Sequence, residues 1–425
     1  MSSATYAVKF GAGNLTFTLP TAADVTVIEP RAAAGVADPM AEVEQALGAA
    51  LAQGRLRQPG RTAITISDAT RPVPNRLILP PLLAQLHASG ASDEDICIIV
   101  GTGNHRPATP DEFSNLVGAD IAQRYRVCSH VYDDPAQLVR LGKTSRGTPV
   151  VINRTFAAAD TRIVVGMIDP HQFVGYTGGC KGAFIGLAGS ETITANHSML
   201  SDPAAKLGVC AGNPVREDMN ELTDFLSIGL VINVVLNTAN EIVRVFAGDP
   251  HDVLAQAVPL VQDVCETAVP HQMDIVIASP GGYPKDINLY QAQKALAHAC
   301  ELVRPGGSVI LAAECREGAG DDLYEAWMAA ADTPQDIVTR FEQEGFRMGA
   351  HKALLFARSL LKARTYLVAT GVAPDQARNL HLIPSPTIED ALAETLRSSD
   401  RPPRIGIMPR ASSTIPRVAA PMPVE

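Results

Sequence analysis

The sequence has 425 residues, enough for two or three domains, and its 46% hydrophobic and 19% charged residues are typical of a compact protein with a sizeable core. The net charge of −10 at pH 7 argues against a nucleic-acid-binding protein, and it implies that an anionic substrate is bound by a few local Arg and Lys residues. No apolar run reaches the ~18 residues that a membrane-spanning helix needs, so we expect no membrane association.

The seven cysteines are scattered along the chain without a Cys-x-x-Cys pair. This dispersal indicates free thiols in a reducing compartment rather than a disulfide framework or a structural zinc site. The first residues, "MSSATYAVKF", lack the cationic segment and the apolar core of a signal peptide. We therefore expect a cytoplasmic protein, whose oligomeric state the sequence leaves open.

Short apolar segments alternate with amphipathic segments from residue 62 onward. The apolar segments predict strands at "TAITISD" (62–68), "ICIIVGTG" (96–103), "RIVVGMIDP" (162–170) and "LVINVVLN" (230–237). The amphipathic segments predict helices at "RLILPPLLAQLHASG", "TPDEFSNLVG" and "SETITANHSML", and Thr109 with Glu112 has the spacing of a capping box. This alternation is typical of an α/β fold with parallel strand pairing.

A domain boundary is predicted near residues 265–272, where the helical segment "HDVLAQAVPLVQDVCETAV" is followed by "PHQM". A second α/β series then begins with "DIVIASPGG" and ends with the helix "SPTIEDALAETLRS" and the strand "RIGIMP" (404–409). We predict two α/β domains with mostly parallel sheets and an interdomain active-site cleft. Residues 1–268 would form the first domain and residues 272–404 the second, with residues 405–425 returning to the first.

Two polar clusters directly follow predicted strands, where an α/β sheet exposes its functional loops. Asp68 and Arg71 stand three residues apart in the first cluster, and a guanidinium there is suited to a carboxylate or a phosphate. The alternative is a capping Asp with a surface Arg. His105 follows the second strand in "GTGNHRP", which lacks the GxGxxG pattern of a dinucleotide-binding loop, so a nicotinamide dehydrogenase is disfavoured. A histidine at a strand end is often structural.

The glycine-rich stretch "DPHQFVGYTGGCKGAFIGLAG" (169–189) follows the third strand and contains His171 and Lys181. Its glycines would let the backbone approach a ligand and present amide groups to an anion. The Walker pattern GxxxxGK[ST] is absent, because Gly182 follows the lysine. The lysine suits an ion pair, a phosphate contact or a covalent attachment. A tight crossover between packed elements explains the glycines equally well.

A helix of the second domain, "LYQAQKAL", carries Tyr290, Gln291 and Lys294 on neighbouring turns. These donors would suit a small polyoxygenated anion, although an ordinary amphipathic helix with a solvated lysine has the same pattern. His197 lies on a predicted helix after "TITAN". A lone helical histidine is usually structural, but its imidazole suits a transition metal whose other donors come from elsewhere.

Taken together, "SDATRP", "GNHR", "DPHQFVGYTGGCKG", "ANH" and "LYQAQK" resemble, in order and spacing, the LarA lactate racemase family. This family comprises 2-hydroxyacid racemases and epimerases that depend on a nickel-pincer nucleotide. The resemblance covers nearly the whole chain, and the combination is specific although each piece alone is not. One departure is Ile185-Gly186, where the family often has Pro-Gly after the attachment lysine.

The resemblance implies a role for each site residue. The cofactor, pyridinium-3,5-bisthiocarboxylic acid mononucleotide nickel, would be attached covalently to Lys181 through a thioamide and ligated at nickel by His197. The remaining cofactor contacts would come from Phe173, Asp68, Gly178 and Gly179, with Asp68 also orienting a neighbouring His or Arg. His105 and His171 would be the paired acid/base groups. Arg71 and Lys294 would hold the substrate carboxylate, and Tyr290 and Gln291 would shape the pocket.

The implied reaction is racemisation or epimerisation at C2 of a 2-hydroxy acid through a 2-keto acid, with proton-coupled hydride transfer to the cofactor. The implied partners are a small 2-hydroxy acid and the proteins that build the cofactor. One alternative is a sugar-acid (aldonate) 2-epimerase with a wider pocket, for which His351 would stand where lactate-specific members have an aromatic residue. Another is a nucleotide- or anion-binding protein without catalysis, which would have no need of two titrating histidines.

Overall fold

The computed structural model describes residues 3–21, 23–56, 60–347, 349–396 and 402–419. The chain divides into two compact units, which we call the N-terminal unit (residues 32–264) and the C-terminal unit (residues 1–31 and 265–425). Within the described ranges, no helix has both the length and the apolar character needed to cross a bilayer.

The strands are spread over the whole described chain. They are β1 (Ser3–Phe10), β2 (Gly13–Pro20), β3 (Asp24–Val27), β4 (Thr62–Ser67), β5 (Ile96–Gly101), β6 (Arg126–Ser129), β7 (Leu138–Lys143), β8 (Pro149–Asn153), β9 (Thr161–Met167), β10 (Pro170–His171), β11 (Gly175–Tyr176), β12 (Leu230–Leu236), β13 (Ile242–Gly248), β14 (Glu266–Val269), β15 (Met273–Ala278), β16 (Val303–Ala312), β17 (Arg364–Val368), β18 (Ile383–Pro384), β19 (Arg404–Met408) and β20 (Ile415–Val418).

The α-helices alternate with these strands. They are α1 (Pro39–Ala52), α2 (Asn75–Ala88), α3 (Pro110–Val117), α4 (Ala119–Arg124), α5 (Arg154–Ala158), α6 (Lys181–Phe184), α7 (Ser190–Ser198), α8 (Pro214–Asn220), α9 (Leu222–Phe225), α10 (Pro250–Cys265), α11 (Leu289–Leu302), α12 (Asp322–Ala329), α13 (Pro334–Glu344), α14 (His351–Lys362), α15 (Pro374–Asn379) and α16 (Ile388–Leu396).

The N-terminal unit is built on a six-stranded sheet in the order β13-β12-β9-β4-β5-β6. All neighbouring pairs are parallel except β12 with β13, which is antiparallel. The central strands are rich in Val and Ile and almost entirely buried, as expected for strands covered on both faces. On one face, Leu79, Leu82 and Leu86 of α2 join the core formed by the strand residues Ile64, Ile98 and Ile163.

The C-terminal unit contains a second six-stranded sheet, all parallel, in the order β18-β17-β16-β15-β19-β3. The antiparallel hairpin β1–β2 packs on this sheet, with Val8, Phe17 and Leu19 in the same core as Ile277 and Ile310. Both units are therefore α/β with mostly parallel sheets, as the sequence predicted.

The domain boundaries differ from the predicted ones. Residues 1–31 belong to the C-terminal unit, because β3 pairs with β19 from Asp24↔Arg404 to Val27↔Ile407. Residues 404–419 also stay in that unit and do not return to the first domain, because β19 pairs with β15. Residues 397–398 of the predicted last helix and residues 420–425 of the predicted return segment lie outside the described ranges. The prediction was wrong here because it assigned contiguous segments, whereas the unit is assembled from both ends of the chain.

Candidate active site

The polar clusters of the N-terminal unit follow three adjacent parallel strands. The strands β9, β4 and β5 are neighbours in that order, so their carboxyl ends lie at the same edge of the sheet. Asp68 follows β4 directly, and His105 comes four residues after the end of β5. His171 follows β9 on a short antiparallel hairpin formed by β10 and β11. This edge is where ligands bind in open α/β sheets.

Asp68 and His105 form a close pair. The distance from His105 Nδ1 to Asp68 Oδ2 is 2.6 Å, and the other carboxylate oxygen accepts hydrogen bonds from Thr70 N at 3.1 Å and Thr70 Oγ1 at 2.5 Å. Burial alone would raise the pKa of Asp68, but the bonds and charges of His105, Thr70 and Arg71 outweigh it and lower that pKa to about 2. The ionised carboxylate therefore keeps the proton of a neutral His105 on Nδ1 and the lone pair on Nε2.

Arg71 is half-buried in the same loop, and its Nη1 donates to Thr70 O at 3.2 Å and to Thr70 Oγ1 at 3.1 Å. These bonds involve one side of the guanidinium group, which is planar and carries five donor hydrogens. Arg71 is thus held beside the Asp68–His105 pair by neutral partners.

Phe173 on the next loop contacts two imidazole rings, His171 on the same loop and His197 on α7. The ring centroids of His171 and Phe173 are 4.7 Å apart with an interplanar angle of 85°, and those of Phe173 and His197 are 5.1 Å apart at 74°. Phe173 is buried, with 7% of its surface exposed. Edge-to-face contacts of this kind fix ring orientation, so Phe173 holds an imidazole on either side of it.

The glycine-rich loop after His171 is packed tightly against its own unit. Gly175 has φ +80°, and a Cβ there would lie 2.1 Å from Val209 O; at Gly178, with φ +85°, a Cβ would lie 2.4 Å from Ile168 Cγ1. The N–H of Gly179 donates to Asn233 Oδ1 at 2.8 Å. Internal packing thus explains these glycines, and the contact of Gly178 and Gly179 with a cofactor stays a prediction.

Lys181 begins α6 at the end of this loop, and its side chain is half-buried. Loss of hydration lowers its pKa, and the positive charges of Arg71 and Arg216 lower it further, to about 7, although Asp68 acts in the opposite direction. Near neutral pH a large share of this amine is unprotonated. Lys181 is therefore a competent nucleophile toward a carbonyl or thiocarbonyl group.

His197 lies in the last turn of α7, as predicted for a helical histidine. Loss of hydration lowers its pKa to about 3, with a further contribution from the charge of Lys181, so the imidazole is neutral at physiological pH. A neutral imidazole is a good ligand for a transition metal. Within the described part of the chain, no group of three or more His, Cys, Asp or Glu residues is arranged to hold a metal ion.

The C-terminal unit holds the remaining predicted site residues on α11. Asn288 caps this helix by accepting from Gln291 N at 3.0 Å, and Lys294 Nζ donates to Gln291 Oε1 at 3.1 Å. The Tyr290 and His351 rings are edge-to-face with their centroids 6.2 Å apart, and Lys352 Nζ lies 4.8 Å from the centroid of the Tyr290 ring. Loss of hydration raises the pKa of Tyr290, which keeps the phenol protonated.

Sequence reasoning missed Arg216 of α8, which is 1% exposed. Its guanidinium donates to Gly178 O at 3.2 Å, to Val174 O at 3.4 Å and to Tyr176 O. It therefore holds the backbone of the loop that carries Phe173 and leads to Lys181. An arginine in the short segment "NPVREDMN" looks like the polar face of a helix, and no local pattern distinguishes it.

Two family models match the chain over most of its length. Residues 10–208 match the lactate racemase N-terminal domain, and residues 269–415 match the lactate racemase C-terminal domain. The protein is thus an enzyme of the isomerase class, a racemase. The chain belongs to the lactate racemase family, which confirms the predicted resemblance to the LarA family.

Individual relatives agree with this assignment. The chain is 32% identical to a lactate racemase of Lactiplantibacillus plantarum over 381 residues, covering 86% of this chain and 88% of the relative. It is 29% identical to a lactate racemase of Thermoanaerobacterium thermosaccharolyticum over 423 residues, covering 96% and 98%. The solved lactate racemase apoprotein of the latter organism superposes with a TM-score of 0.91 at 27% identity, covering 97% of this chain and 100% of that one. A Thermotoga maritima protein shares the fold at a TM-score of 0.70 and 15% identity, covering 89% and 98%.

Proposed function

We propose that this racemase interconverts the two configurations at C2 of a 2-hydroxy acid, with lactate as the first candidate substrate. The observation that carries the proposal is the Asp68–His105 pair, in which a 2.6 Å contact presents the lone pair of an oriented imidazole. Such a group is suited to take and return the hydroxyl proton of the substrate. The two curated relatives, both lactate racemases, support the choice of substrate.

The residues of the site fit a nickel-pincer nucleotide. Lys181 has the unprotonated amine that a covalent attachment needs, and His197 has the neutral imidazole that a nickel ligand needs. Since no group of three or more His, Cys, Asp or Glu residues in the described ranges could hold a metal ion by itself, the fitting metal group is one that brings its other donors with it. When bound, this nucleotide supplies an acceptor for the hydride that leaves C2.

The side chains of this unit supply proton transfer and binding. In one direction, His105 takes the hydroxyl proton on Nε2 while Asp68 stabilises the resulting imidazolium, and a 2-keto acid results. His171 performs the same step for the opposite configuration, donating or accepting the proton through its ring. Arg71 binds the substrate carboxylate, and Lys294, Tyr290 and Gln291 keep the substrate-binding roles that the resemblance implies.

We also propose a cytoplasmic protein that depends on the proteins that build its cofactor. All seven cysteines are free, as expected in a reducing compartment. A sample made in a host without those proteins would consequently lack racemase activity.

A second candidate function is a 2-epimerase of longer, polar hydroxy acids such as sugar acids. It is favoured by the polar residues at the start of α14, since His351 stacks on Phe346 at 5.1 Å and the neighbouring Lys352 has a buried ammonium group. An imidazole and an ammonium group would accommodate hydroxyl groups or a distal carboxylate better than a large apolar ring would. Comparing turnover of lactate, malate and gluconate separates the two, because exclusive turnover of lactate would reject the epimerase.

The experiment that tests the main proposal uses protein produced together with the cofactor-building enzymes. We expect a covalent mass addition at Lys181 and bound nickel. We also expect racemisation of L-lactate, which chiral chromatography would monitor. His105→Ala and His171→Ala should each reduce turnover by about 10²–10⁴-fold or more without loss of nickel. His251→Ala, which alters an exposed histidine on α10, serves as the control and should leave turnover unchanged. Loading without turnover of any 2-hydroxy acid would instead support a binding protein.

A further inference from the structure

A buried chain of polar side chains stands behind His197. His197 Nδ1 lies 3.0 Å from Asn196 Oδ1, and Asn196 Nδ2 donates to Asp218 Oδ2 at 2.8 Å. Thr144 Oγ1 donates to the other oxygen of Asp218 at 2.5 Å. Asn196 and Asp218 are both fully buried. The chain therefore runs from β7–β8 loop residue Thr144 through α8 to the imidazole on α7, shielded from solvent.

The partners of Asn196 determine which way its amide points. Its second Nδ2 contact is Val215 O at 3.1 Å, and a backbone carbonyl can only accept a hydrogen bond. The carboxylate of Asp218 likewise acts as an acceptor here. The atom facing these two oxygens must therefore be the NH₂ group, which leaves the carbonyl oxygen facing His197. That oxygen can only accept, so His197 Nδ1 must carry the hydrogen.

We propose that Asn196 and Asp218 are positioning residues that fix His197 in the tautomer with the proton on Nδ1 and the lone pair on Nε2. If this ring ligates a metal, the ligating atom is then Nε2. The second half of this inference rests on the proposed nickel site, whereas the tautomer itself concerns the chain alone. Outer partners of this kind fix ring orientation in many metal sites, and their loss typically weakens metal binding by about 10–100-fold.

A purely structural role for the same residues would be to join α7 to α8. Helix α8 also carries Arg216, whose guanidinium holds the carbonyls of residues 174, 176 and 178. One short helix thus supports both the ring of His197 and the loop before Lys181. Loss of stability in a variant would not distinguish the two roles, so the test needs a readout at the imidazole itself.

The deciding measurement is the tautomer of His197 in the cofactor-free chain, read from long-range ¹H–¹⁵N spectra of protein labelled at histidine. The wild-type ring should show a protonated Nδ1 and an unprotonated Nε2, assigned by the signals missing in His197→Gln. Asn196→Leu removes the acceptor with little change in size, and the proton should then move largely to Nε2, which free histidine prefers in water. A wild-type ring protonated on Nε2 would overturn the proposal without any variant, even if Asn196→Leu fails to fold.

Thr192→Val is the matched control. Thr192 is equally buried on the same helix and bonds to the backbone at Pro149 and Val151, so its loss destabilises α7 without touching His197. It should leave the tautomer unchanged, as should the conservative Asp218→Asn, whose amide oxygen can still accept from Asn196. If Thr192→Val changed the tautomer of His197 as much as Asn196→Leu does, the change would come from altered packing of α7. That result would overturn the proposed role of Asn196.

Metal retention tests the second half separately. In chain loaded together with the cofactor-building enzymes, Asn196→Leu should lose nickel to a chelator about 10–100-fold more readily than wild type, with Thr192→Val close to wild type. If the tautomers were as expected but wild type, Asn196→Leu and Thr192→Val retained nickel equally, the proposed role of Nε2 as the metal ligand would be overturned. The expected tautomer with no nickel in any protein would contradict the proposed function and leave the positioning of His197 standing.

Discussion

The amine of Lys181 should react as a nucleophile at neutral pH even in the cofactor-free chain. Loss of hydration and the charges of Arg71 and Arg216 lower its pKa from the usual 10.5 to about 7. At pH 7 about half of such amines are unprotonated, against roughly 1 in 3,000 for a lysine with the usual pKa, because one pKa unit is a factor of ten. The free-amine fraction is therefore ~1,000-fold above that of an ordinary lysine.

Cyanate is a suitable probe because it is small and reacts only with unprotonated amines. The cofactor-free chain would be labelled for short times between about pH 5 and pH 10, and the carbamylated peptides counted by mass spectrometry. Labelling at Lys181 should level off above pH ~7, whereas that of the exposed lysines should still be rising there. Since a weaker base is also a weaker nucleophile and the side chain is half-buried, we expect a rate advantage at pH 7 of roughly 10–100-fold rather than the full ~1,000-fold.

Two neighbouring substitutions should move this profile in opposite directions. Arg71→Gln removes a positive charge that lowers the pKa of Lys181, so the profile should move to higher pH. Asp68→Asn removes a negative charge that raises it, so the profile should move to lower pH. A wild-type profile that rises only near pH 10, or shifts of the same sign in both variants, would refute the electrostatic argument for an activated lysine.

Three further predictions concern stability. Folding lowers the pKa of Asp68 from 3.8 to about 2, so its ionised carboxylate stabilises the folded chain above pH ~4, and this stabilisation is lost as the pH falls toward 2. Asp68→Asn should therefore lower the free energy of unfolding by about 2 kcal/mol at pH 7 and by progressively less below pH ~4. A deficit independent of pH would argue against the ionised pair. Arg216→Met removes the guanidinium that donates to the carbonyls of residues 174, 176 and 178, of which Gly178 O also accepts from the Lys181 N–H, and it should cost about 3 kcal/mol. The loss would be seen as a lower urea midpoint, and an unaltered midpoint would contradict it. Gly175→Ala would place a Cβ 2.1 Å from Val209 O and should lower the free energy of unfolding by more than about 3 kcal/mol. Gly212→Ala, at φ +72° with no atom near the new Cβ, should lower it by only about 1 kcal/mol. Equal losses in the two variants would show that the backbone around Gly175 moves to make room for the Cβ.

Local sequence patterns predicted the α/β alternation because periodicity and capping are short-range signals. The predicted strands at 62–68, 96–103 and 230–237 correspond to β4, β5 and β12 within two residues at each end. The capping box of α3 is also present, with Thr109 N donating to Glu112 Oε2 at 2.8 Å. The placement of β3 was missed because it is a four-residue edge strand with no buried residue, so its pairing partner, distant in sequence, cannot be inferred from it.

The candidate site was predictable to the extent that it depends on strand ends. Parallel strands bring their carboxyl ends to one edge, which is why Asp68 and His105 could be expected near each other. The residues that support His197 and the loop carrying Phe173 were not predictable, because Asn196, Arg216 and Asp218 lie on helices and are fully buried by tertiary packing. A polar residue on a short helix has the same local pattern whether it faces solvent or an internal hydrogen-bond partner.

The pairing of β3 with β19 has a consequence for how this chain is made. Residues 24–27 leave the ribosome hundreds of residues before residues 404–407, which complete their edge of the sheet. The N-terminal unit is continuous in sequence and can fold during translation. The C-terminal unit cannot complete its sheet until residues 404–407 are synthesised, although its hairpin β1–β2 is made first. A fragment that starts at residue 265 would therefore lack a strand and a hairpin of its own fold, whereas one in which residues 1–31 are rejoined by a linker after residue 419 would regain them.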